Sequence, residues 1–352
     1  MAVTIYDIAR EAKVGIGTVS RVFNNHPSVS EETRKRVLQV SARLNYHPHP
    51  YARGLARKRT NSILAIIPFF TTFFFVEILQ AIQNELSEKD CDLILQGITH
   101  PDHAELSLRR NSFRGRVDGM LFFSMKMPDE FAKFYLSSKV PVVLVDTFHE
   151  DFDSFSVENV KGAYAATEHL ISLGHTRIGM LNANLESLPA RERLKGFRQA
   201  MTDAGLRLDP HLLRRSASSR LDGFTKECGY EQMKALLASG VPRPTALFIS
   251  SDIQAAGALA AIDEAGLRCP DDIAVVGFDD IELAGHLGLT TMRQPLSEMG
   301  SLAVRRLTER MNGGQLPPSH VTFVPTLVAR KSSGLPLREQ QTHAGTETGI
   351  LA

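Results

Sequence analysis

The chain has 352 residues, of which 43% are hydrophobic, and this length predicts two or three globular units rather than one small core. Its three cysteines lie far apart without metal-ligand or disulfide spacing, and its most apolar stretch, residues 63–76, is too short to span a bilayer. The net charge of +1 is unevenly distributed: residues 1–60 hold 11 Lys and Arg against 4 Asp and Glu, a net of +7, whereas the other 292 hold 29 against 35, a net of −6.

Three short helices are predicted in the basic N-terminal segment. The first has apolar residues at helical spacing from Ile5 to Ala12, the second covers residues 18–24, and the third runs over about 31–44 with Ser30 as its N-cap. The residues predicted to face inward on the third helix are Val37, Leu38, Val40 and Leu44. A second helix rich in Thr, Ser, Arg and Asn, within a three-helix core, is typical of a helix-turn-helix that reads DNA.

Strand-like and helix-like segments alternate from Ile63 onward, which predicts parallel sheets with right-handed crossovers. The predicted strands are 62–68, 92–97, 119–124, 140–146, 177–182, 245–250 and 272–278, and the predicted helices are 75–89, 104–113, 160–173, 190–204, 225–239 and 253–265. These elements are too many for one sheet. We therefore expect two stacked α/β units that bind a ligand between them, at the carboxyl ends of the strands.

Residues 4–48 resemble the N-terminal domain of the lactose-repressor (LacI/GalR) family of bacterial transcription regulators. Motifs in the same order as in that family follow downstream: HLISLGHTRIGML, ARERLKGFRQAM, PTALFISSD, DDIAVVGFDD and LTTMRQP. The resemblance covers roughly residues 3–332. It implies a three-helix head, a hinge helix, and a two-subdomain α/β body with parallel sheets, similar to the periplasmic sugar-binding proteins.

The resemblance also implies domain boundaries. The head is expected at 1–48, the hinge helix or linker at 49–60, and the effector-binding and dimerisation domain at 61–332. Within that domain, the N-subdomain is expected at 61–159 plus 290–320 and the C-subdomain at 160–289 plus 321–332. The polar tail, 333–352, is expected to be disordered. It lacks the apolar heptads of a tetramerising coil, which favours a homodimer.

The resemblance places DNA contacts in the head. Ile16 and Gly17 stand where the family most strongly sets base preference, and Gly17 can offer no side chain to a base. The other implied contacts with bases or backbone are Tyr6, Thr18, Ser20, Arg21, Asn24, Ser28, Ser30 and Thr33. Residues 50–59 resemble the family's hinge helix, with Leu55 as a minor-groove wedge and Arg53 near phosphates, although a flexible basic linker is the alternative. Gly15 replaces the usual Ser cap of the second helix.

Four residues match the family's effector contacts, and a fifth candidate, Ser251, departs from the family pattern at its position. Phe75 falls where a side chain stacks on the ligand, and Asp146, Arg193 and Asp279 can bond sugar hydroxyls and ring oxygens. Ser251 replaces the Asn common at its position, with one hydroxyl in place of an amide. A sugar or sugar phosphate is the expected ligand and a nucleobase is the alternative. Read without the resemblance, each charged residue is an ordinary surface charge.

The resemblance implies a DNA-binding transcription regulator whose operator affinity is switched by a small molecule. Repression is the common mode of the family and is the expected one, with activation as the alternative. We expect it in the cytoplasm, because its N-terminus lacks the pattern of a signal peptide. The rival interpretation is a sugar-binding transport component without DNA function. An enzyme is disfavoured: VGIGTVS lacks both a third glycine and a preceding strand, and hydrolase and metalloprotease motifs are absent. No cofactor or metal is predicted.

Overall fold

The structure, a computed structural model, describes residues 3–46, 60–68, 72–89, 91–98, 117–138, 140–217, 220–314 and 316–334. The chain forms two compact units, one of residues 1–63 with 113–118 and one of residues 64–112 with 119–352. The predicted helix at 104–113 and the predicted hinge segment at 49–59 lie outside the described residues. None of the helices that are described is both long and apolar enough to cross a membrane.

The head contains three helices, as predicted: α1 (Ile5–Glu11), α2 (Ile16–Phe23) and α3 (Glu31–Arg43). They enclose a small apolar core formed by Ile8, Ala9, Ala12, Val19, Val22, Val37 and Val40. The prediction that Leu38 faces inward is wrong, since 46% of it is exposed. The buried stripe of α3 follows Val37, Val40 and Ser41, three and four residues apart, and Leu38 lies about 100° away from it.

The second unit is built from alternating strands and helices. Its strands are β1 (Ser62–Ile67, which begins in the first unit), β2 (Asp92–Gly97), β3 (Gly119–Phe123), β4 (Val142–Val145), β5 (Asp153–Val157), β6 (Ile178–Asn182), β7 (Leu213–Arg215), β8 (Ala246–Ile249), β9 (Ala274–Asp279), β10 (Thr290–Arg293), β11 (His320–Phe323) and β12 (Thr326–Val328). Its described α-helices are α4 (Phe73–Ser87), α5 (Asp129–Ser137), α6 (Asn159–Ser172), α7 (Leu188–Asp203), α8 (Lys226–Leu237), α9 (Asp252–Glu264), α10 (Glu282–Leu287) and α11 (Leu296–Met311).

These strands form two six-stranded sheets, in the orders β11-β5-β4-β3-β1-β2 and β12-β10-β9-β8-β6-β7. The recorded strand pairs are parallel except for β10 with β12, which run antiparallel. In the second sheet, one face packs on α6 and α7 and the other on α8 and α9. The sequence therefore predicted the two-sheet architecture correctly.

The chain passes from the second sheet to the first after β10 and returns to the second after β11. Both crossings lie downstream of the positions predicted for them, 290 and 321. Residues 290–293 form β10, which pairs with β9 in register Thr290↔Val276, so they belong to the second sheet and not to the N-subdomain. Residues 321–323 belong to β11, which pairs with β5 in register Val321↔Phe155, so they lie in the first sheet and not in the C-subdomain. Hydrogen bonding to a neighbouring strand, which no local pattern reports, decides both boundaries.

The predicted tail, 333–352, also begins too early. Ser333 is 2% exposed, and its hydroxyl lies 2.8 Å from Thr290 Oγ1 and 2.9 Å from His169 Nε2. This buried polar cluster holds the chain against the second sheet as far as Gly334. The remaining tail, residues 335–352, lies outside the described residues.

Candidate functional site

The helix α2 in the head has one buried and one exposed face. Val19 and Val22 are buried in the core, whereas Ile16 is 42% exposed and Arg21 is exposed. Gly17 is exposed beside them, and Thr18 and Ser20 are half-buried on the flank. The predicted base-reading residues therefore share the solvent side of one short helix.

No neighbouring atom in the head requires glycine at position 15 or 17. A Cβ added to either residue meets nothing within 4 Å. Gly15 is the N-cap of α2 in an extended conformation, with φ −72°, which other residues also adopt. Packing within the head therefore does not explain the glycine at position 17. The absence of a side chain there affects the exposed face of α2.

The predicted contacts outside α2 occupy different settings. Tyr6 is 67% exposed on α1, and Ser28 is exposed with its hydroxyl 2.8 Å from His26 Nδ1. Ser30 caps α3 as predicted: its Oγ accepts a hydrogen bond from Thr33 N at 3.3 Å and donates to Thr33 Oγ1 at 3.0 Å. Asn24 is half-buried at the end of α2. The predicted contacts Arg53 and Leu55 lie outside the described residues.

One head residue that sequence reasoning missed is Arg34. From α3 its guanidinium donates to the carbonyl of Val22 at 3.3 Å, to Asn25 Oδ1 at 2.9 Å and to the carbonyl of His26 at 3.0 Å. These bonds fix the end of α2 and the following turn to α3. Only its place in a basic segment marks Arg34 in the sequence, and nothing there distinguishes it from Lys35 or Arg36.

The second unit contains a cleft that all five predicted effector residues line. It has about 680 Å³ of empty space, part of it open to solvent. The lining side chains include Phe75, Asp146, Arg193, Ser251 and Asp279. They come from both sheets, because Asp146 follows β4 of the first sheet and Asp279 ends β9 of the second. The carboxyl ends of parallel strands thus meet here, as expected for α/β folds.

Four residues of the cleft lining have a positive φ, as do Lys13, Asn25 and Asn45 in the head. Ser124, Asp146, Asp222 and Asp279 all have positive φ, at 49°, 55°, 51° and 121°. Such values are uncommon for residues other than glycine and cost roughly 1–3 kcal/mol each. Aspartate tolerates this region better than most residues, and strain of this kind clusters at ligand sites.

The guanidinium of Arg193 is buried and held on several sides. Its Nε donates to Asn159 Oδ1 at 2.9 Å, and its Nη1 donates to the Ser250 carbonyl and lies 3.4 Å from Asp279 Oδ1. Its central carbon is 3.8 Å from the centroid of the Phe278 ring, a cation–π contact. These partners fix the orientation of the charge within the cleft.

The carboxyl groups around Arg193 have raised pKa values. Burial raises the pKa of Asp146 to about 6, against the opposing effects of the Ser124 hydroxyl, which donates to it at 2.7 Å, and of the Arg193 charge. Burial raises the pKa of Asp279 to about 7, although Arg193 and the Gln294 amide, at 2.6 Å, favour its charged form. Burial and the Asp279 charge also raise the pKa of Asp252. Groups that titrate near neutral pH in a cleft are typical of functional sites.

Phe75 and Ser251 differ in what they can offer a ligand. Phe75 is 5% exposed and packs edge-on against Phe74 and Phe123, so its ring forms a fixed apolar wall. Ser251 is the N-cap of α9, where its hydroxyl accepts from Gln254 N at 3.3 Å and donates to Gln254 Oε1 at 3.1 Å. The hydrogen bonds of the Ser251 hydroxyl are therefore made within the first turn of α9.

Several cleft residues were missed by the sequence reasoning. Ser124, Asp222 and Phe224 line the cleft, while Asn159 and Gln294 orient Arg193 and Asp279 from behind. Ser124 directly follows β3, so the rule that ligands bind at carboxyl strand ends could have identified it. Asp222 and Phe224 lie in and after a 3₁₀ turn that carries no such signal. No cluster of His, Cys, Asp and Glu with metal-ligand geometry occurs among the described residues.

Comparison with known protein families agrees with a DNA-binding head followed by a two-sheet unit. The model of the lacI family of bacterial regulatory proteins matches residues 4–49, and that of a periplasmic binding protein-like domain matches residues 167–333. Catabolite control protein A of Priestia megaterium is 33% identical over 339 residues, which cover 95% of this chain and 100% of that protein.

Two of the similar solved structures illustrate the match over nearly the whole chain. The lac repressor dimer bound to operator and the anti-inducer ONPF has a TM-score of 0.80 and 29% identity, covering 95% of this chain and 100% of that one. The transcriptional regulator CelR in complex with cellobiose has a TM-score of 0.68 and 29% identity, covering 94% and 99%. The chain belongs to the lacI family of bacterial regulatory proteins, and it is a transcriptional regulator rather than an enzyme.

Proposed function

We propose that this regulator is a cytoplasmic homodimeric repressor that binds a pseudo-palindromic DNA operator through its heads. Its affinity for the operator falls or rises when a small molecule occupies the cleft. The effector belongs to the sugar or sugar-phosphate class. A regulator of this kind must share a compartment with the chromosome, and this requirement supports the cytoplasmic location. The similar lac repressor structure is a dimer on its operator, and the similar CelR structure holds cellobiose.

The exposed face of α2 is the observation that carries the DNA-binding part. Ile16, Thr18, Ser20 and Arg21 are accessible at once on a helix narrow enough for a major groove. Arg21 can donate two hydrogen bonds to a guanine, a contact worth about 1–3 kcal/mol of discrimination. The net charge of +7 over residues 1–60 adds sequence-independent attraction to phosphates.

The cleft is the site at which a bound effector changes operator affinity. A ligand held by Asp146, which follows β4 of the first sheet, and by Arg193, on the helix α7 that packs against the second sheet, contacts both halves of the second unit. Its binding therefore favours one arrangement of the two sheets over another. Operator affinity changes only if the two arrangements differ in their affinity for DNA, and the coupling is then reciprocal.

The test starts from random 40-base-pair duplexes, selected over several rounds by the purified full-length protein and sequenced. We expect an inverted-repeat consensus, with binding that weakens steeply as salt rises. Arg21→Ala should weaken binding to the selected duplex by about 5- to 100-fold, as expected for the loss of one good base contact. Arg243→Ala is the matched control, because it removes the same charge from an exposed position in the second unit.

Failure to enrich any sequence, or equal binding of the selected and scrambled duplexes, would show that the head is not a sequence reader. A selected site without inverted symmetry would contradict the homodimer while leaving DNA reading intact.

A further inference from the structure

Positive charge is concentrated at one edge of the second sheet. Residues 191–215, which cover most of α7, the connection after it and β7, contain 7 Lys and Arg against 3 Asp and Glu. The other residues from 61 to the end of the chain contain 22 Lys and Arg against 32 Asp and Glu. A local surplus of cations therefore exists outside the basic head, on a part of the chain that is otherwise acidic.

The acidic side chains of this segment do not neutralise the surplus. Each of them is bonded elsewhere: Glu192 to Asn159, Asp203 to Tyr164 and Asp209 to Arg177. Of the seven cations, Arg193 lies in the cleft and Arg191 donates to two backbone carbonyls. The other five form neither an ion pair nor a side-chain hydrogen bond with any described residue. We call them the basic β7 edge: Lys195, Arg198, Arg207, Arg214 and Arg215.

The basic β7 edge extends over both faces of the sheet. β7 is the last strand in its sheet and pairs on one side with β6. Leu213 packs in the core beneath α6 and α7, so Arg215, two residues later, lies on that face and Arg214 lies on the opposite face. Two further cations of the group are exposed on α7, which covers the same face as Arg215. The free edge of β7 is therefore bordered by cations on each side.

Arg214 provides the observation that points to a missing partner. Its side chain is half-buried, and its Nε, a hydrogen-bond donor, is buried without an acceptor among the described residues. Such donors are rare in native proteins, because a buried donor that loses its bond to water and gains no other is destabilising. A carboxylate is the best-matched acceptor, since it can bind two N–H groups of a guanidinium at once.

Charge on an edge strand can also serve to prevent pairing with other chains. That role accounts for an exposed cation such as Arg215, but it requires neither a buried donor nor further cations on α7 and the connection after it. The Ser216 N–H donates to the Asn182 carbonyl at 3.1 Å, so the backbone N–H and C=O of Arg215, one residue earlier, point away from β6. These groups are oriented to pair with an added strand.

The alternation of the cations favours an extended peptide over a nucleic acid duplex. Successive side chains of an extended peptide point to opposite faces of a sheet. Two consecutive carboxylates in a strand beside β7 would therefore meet Arg215 on one face and Arg214 on the other. A duplex carries its phosphates on one rigid outer surface, and the cations that neutralise them must share one face of the protein.

We propose that the basic β7 edge binds an acidic, extended segment of a partner protein. The segment adds as a strand beside β7, and its carboxylates pair with Arg214 and Arg215. None of the five cations is among the described residues that line the cleft, and the surface lies outside the head. The inference therefore goes beyond the proposed function and does not depend on it.

The test measures binding of a fluorescent peptide with a run of glutamates, flanked by Gly and Ser, to the full-length protein at physiological ionic strength. The control peptide has Gln in place of every Glu. We expect one glutamate peptide to bind per chain, and the glutamine peptide to bind at least about tenfold more weakly. The double variant Arg214→Gln with Arg215→Gln should weaken binding of the glutamate peptide at least about tenfold.

Two control variants remove the same charge from other exposed surfaces. Lys35→Gln with Arg36→Gln alters the head, and Lys126→Gln with Lys133→Gln alters the part of the second unit that contains the first sheet. Each should change the affinity for the peptide by less than about twofold, because exposed charges at a distance are screened by salt. Circular dichroism checks that every variant is folded.

Hydrogen exchange identifies the mode of binding. Bound peptide should slow exchange of the Arg215 amide, because this group would then donate to the added strand. Arg215→Gln alone changes one exposed side chain, so it keeps the fold and should still weaken binding at least about threefold.

Three results would overturn the inference: equal binding of the two peptides, unchanged affinity in the double variant of β7, or an equal loss of affinity in the head variant. Unchanged exchange of the Arg215 amide in the complex would overturn the added strand. A short scrambled DNA duplex that binds more tightly than the peptide and loses this binding in the double variant of β7 would assign the surface to nucleic acid instead.

Discussion

The head and the cleft carry their functional groups in opposite ways. In the head, the candidate contacts Ile16, Gly17 and Arg21 are exposed on a regular helix whose backbone is unstrained. In the cleft, Arg193 and Asp279 are buried, and the lining includes residues with positive φ. A surface that binds a polyanion needs accessible charge, whereas a small-molecule site needs a few fixed groups shielded from water. Substitutions in the two regions should therefore differ in their effects on folding stability and on binding.

The largest effect is expected for Arg193→Ala. This change removes the cation from a group of buried carboxylates and leaves Asp279 without its ion-pair partner. Breaking a buried pair from one side costs about 3–5 kcal/mol, so the variant should lose both stability and ligand binding. Chemical denaturation measures the first effect, and thermal shift with a panel of sugars and sugar phosphates measures the second.

Arg198→Ala is the control for that experiment, because Arg198 is exposed on the same helix, α7. Exposed substitutions of this kind usually change stability by less than about 0.5 kcal/mol. Equal stability of the two variants would mean that Arg193 contributes nothing to the folded cleft.

In the head, Arg34→Ala should have the next largest effect. It removes the hydrogen bonds to Val22, Asn25 and His26 that fix the end of α2, and we expect a loss of about 1–3 kcal/mol of stability. Operator affinity should fall through misplacement of α2, across all sequences rather than at one base pair. Arg36→Ala, exposed on the same helix, removes the same charge and serves as the control.

If Arg34→Ala and Arg36→Ala weaken DNA binding equally without loss of stability, then Arg34 acts only through its charge. The helical content of the purified variants, measured by circular dichroism, separates local disorder of the head from a direct loss of contacts.

The sequence predicted the layout of both regions but not their supporting contacts. Periodicity located α1, α2 and α3, and the alternation of strands and helices located most of the two sheets. The resemblance pointed to five candidate effector residues, and each of them lines the cleft, although their contact with a ligand stays a prediction. The boundaries that were missed depend on strand pairing. β10 stays in the second sheet by pairing with the preceding strand, β9, whereas β11 joins the first sheet by pairing with β5, which lies far earlier in the sequence. The roles of Asn159 and Gln294 likewise depend on long-range bonds to Arg193 and Asp279, which have no local signature.

A gain of stability is expected for Gly17→Ala in α2. The added Cβ meets nothing within 4 Å, and alanine in a helix is about 1 kcal/mol more favourable than glycine. Because the new methyl group lies on the exposed face, it should also alter which bases the head prefers. Repeating the duplex selection with the variant checks this, and an unchanged consensus with full affinity would remove position 17 from the base-reading surface.

Gly300→Ala provides the contrasting case within α11. There the added Cβ would lie 2.8 Å from the Ile78 carbonyl oxygen, so the same substitution should destabilise the second unit. The two alanine variants together separate helix propensity from packing.

The smallest predicted effect is the pH dependence of ligand affinity through Asp146. Ser124 donates to one oxygen of this carboxyl group, and the charged groups that act on it are Glu192, Arg193 and Asp279. A sugar hydroxyl that donates to Asp146 favours the ionised carboxylate, so binding lowers its pKa from about 6 and releases a proton. Affinity should therefore be highest above pH 6 and fall as the pH drops through 6, by roughly fourfold between pH 7.5 and 5.5 for this group alone.

Titrations in two buffers of different ionisation enthalpy count the released protons directly. Asp146→Asn keeps the shape of the side chain and tolerates the φ of 55°, and it should flatten the part of the pH profile centred near 6. Asp279 remains in this variant, and because the Asp146 charge helps to raise its pKa, its own titration should move to lower pH than in the unsubstituted protein. An unchanged pH profile and proton count in Asp146→Asn would assign the proton to another group and would exclude Asp146 as an acceptor for the ligand.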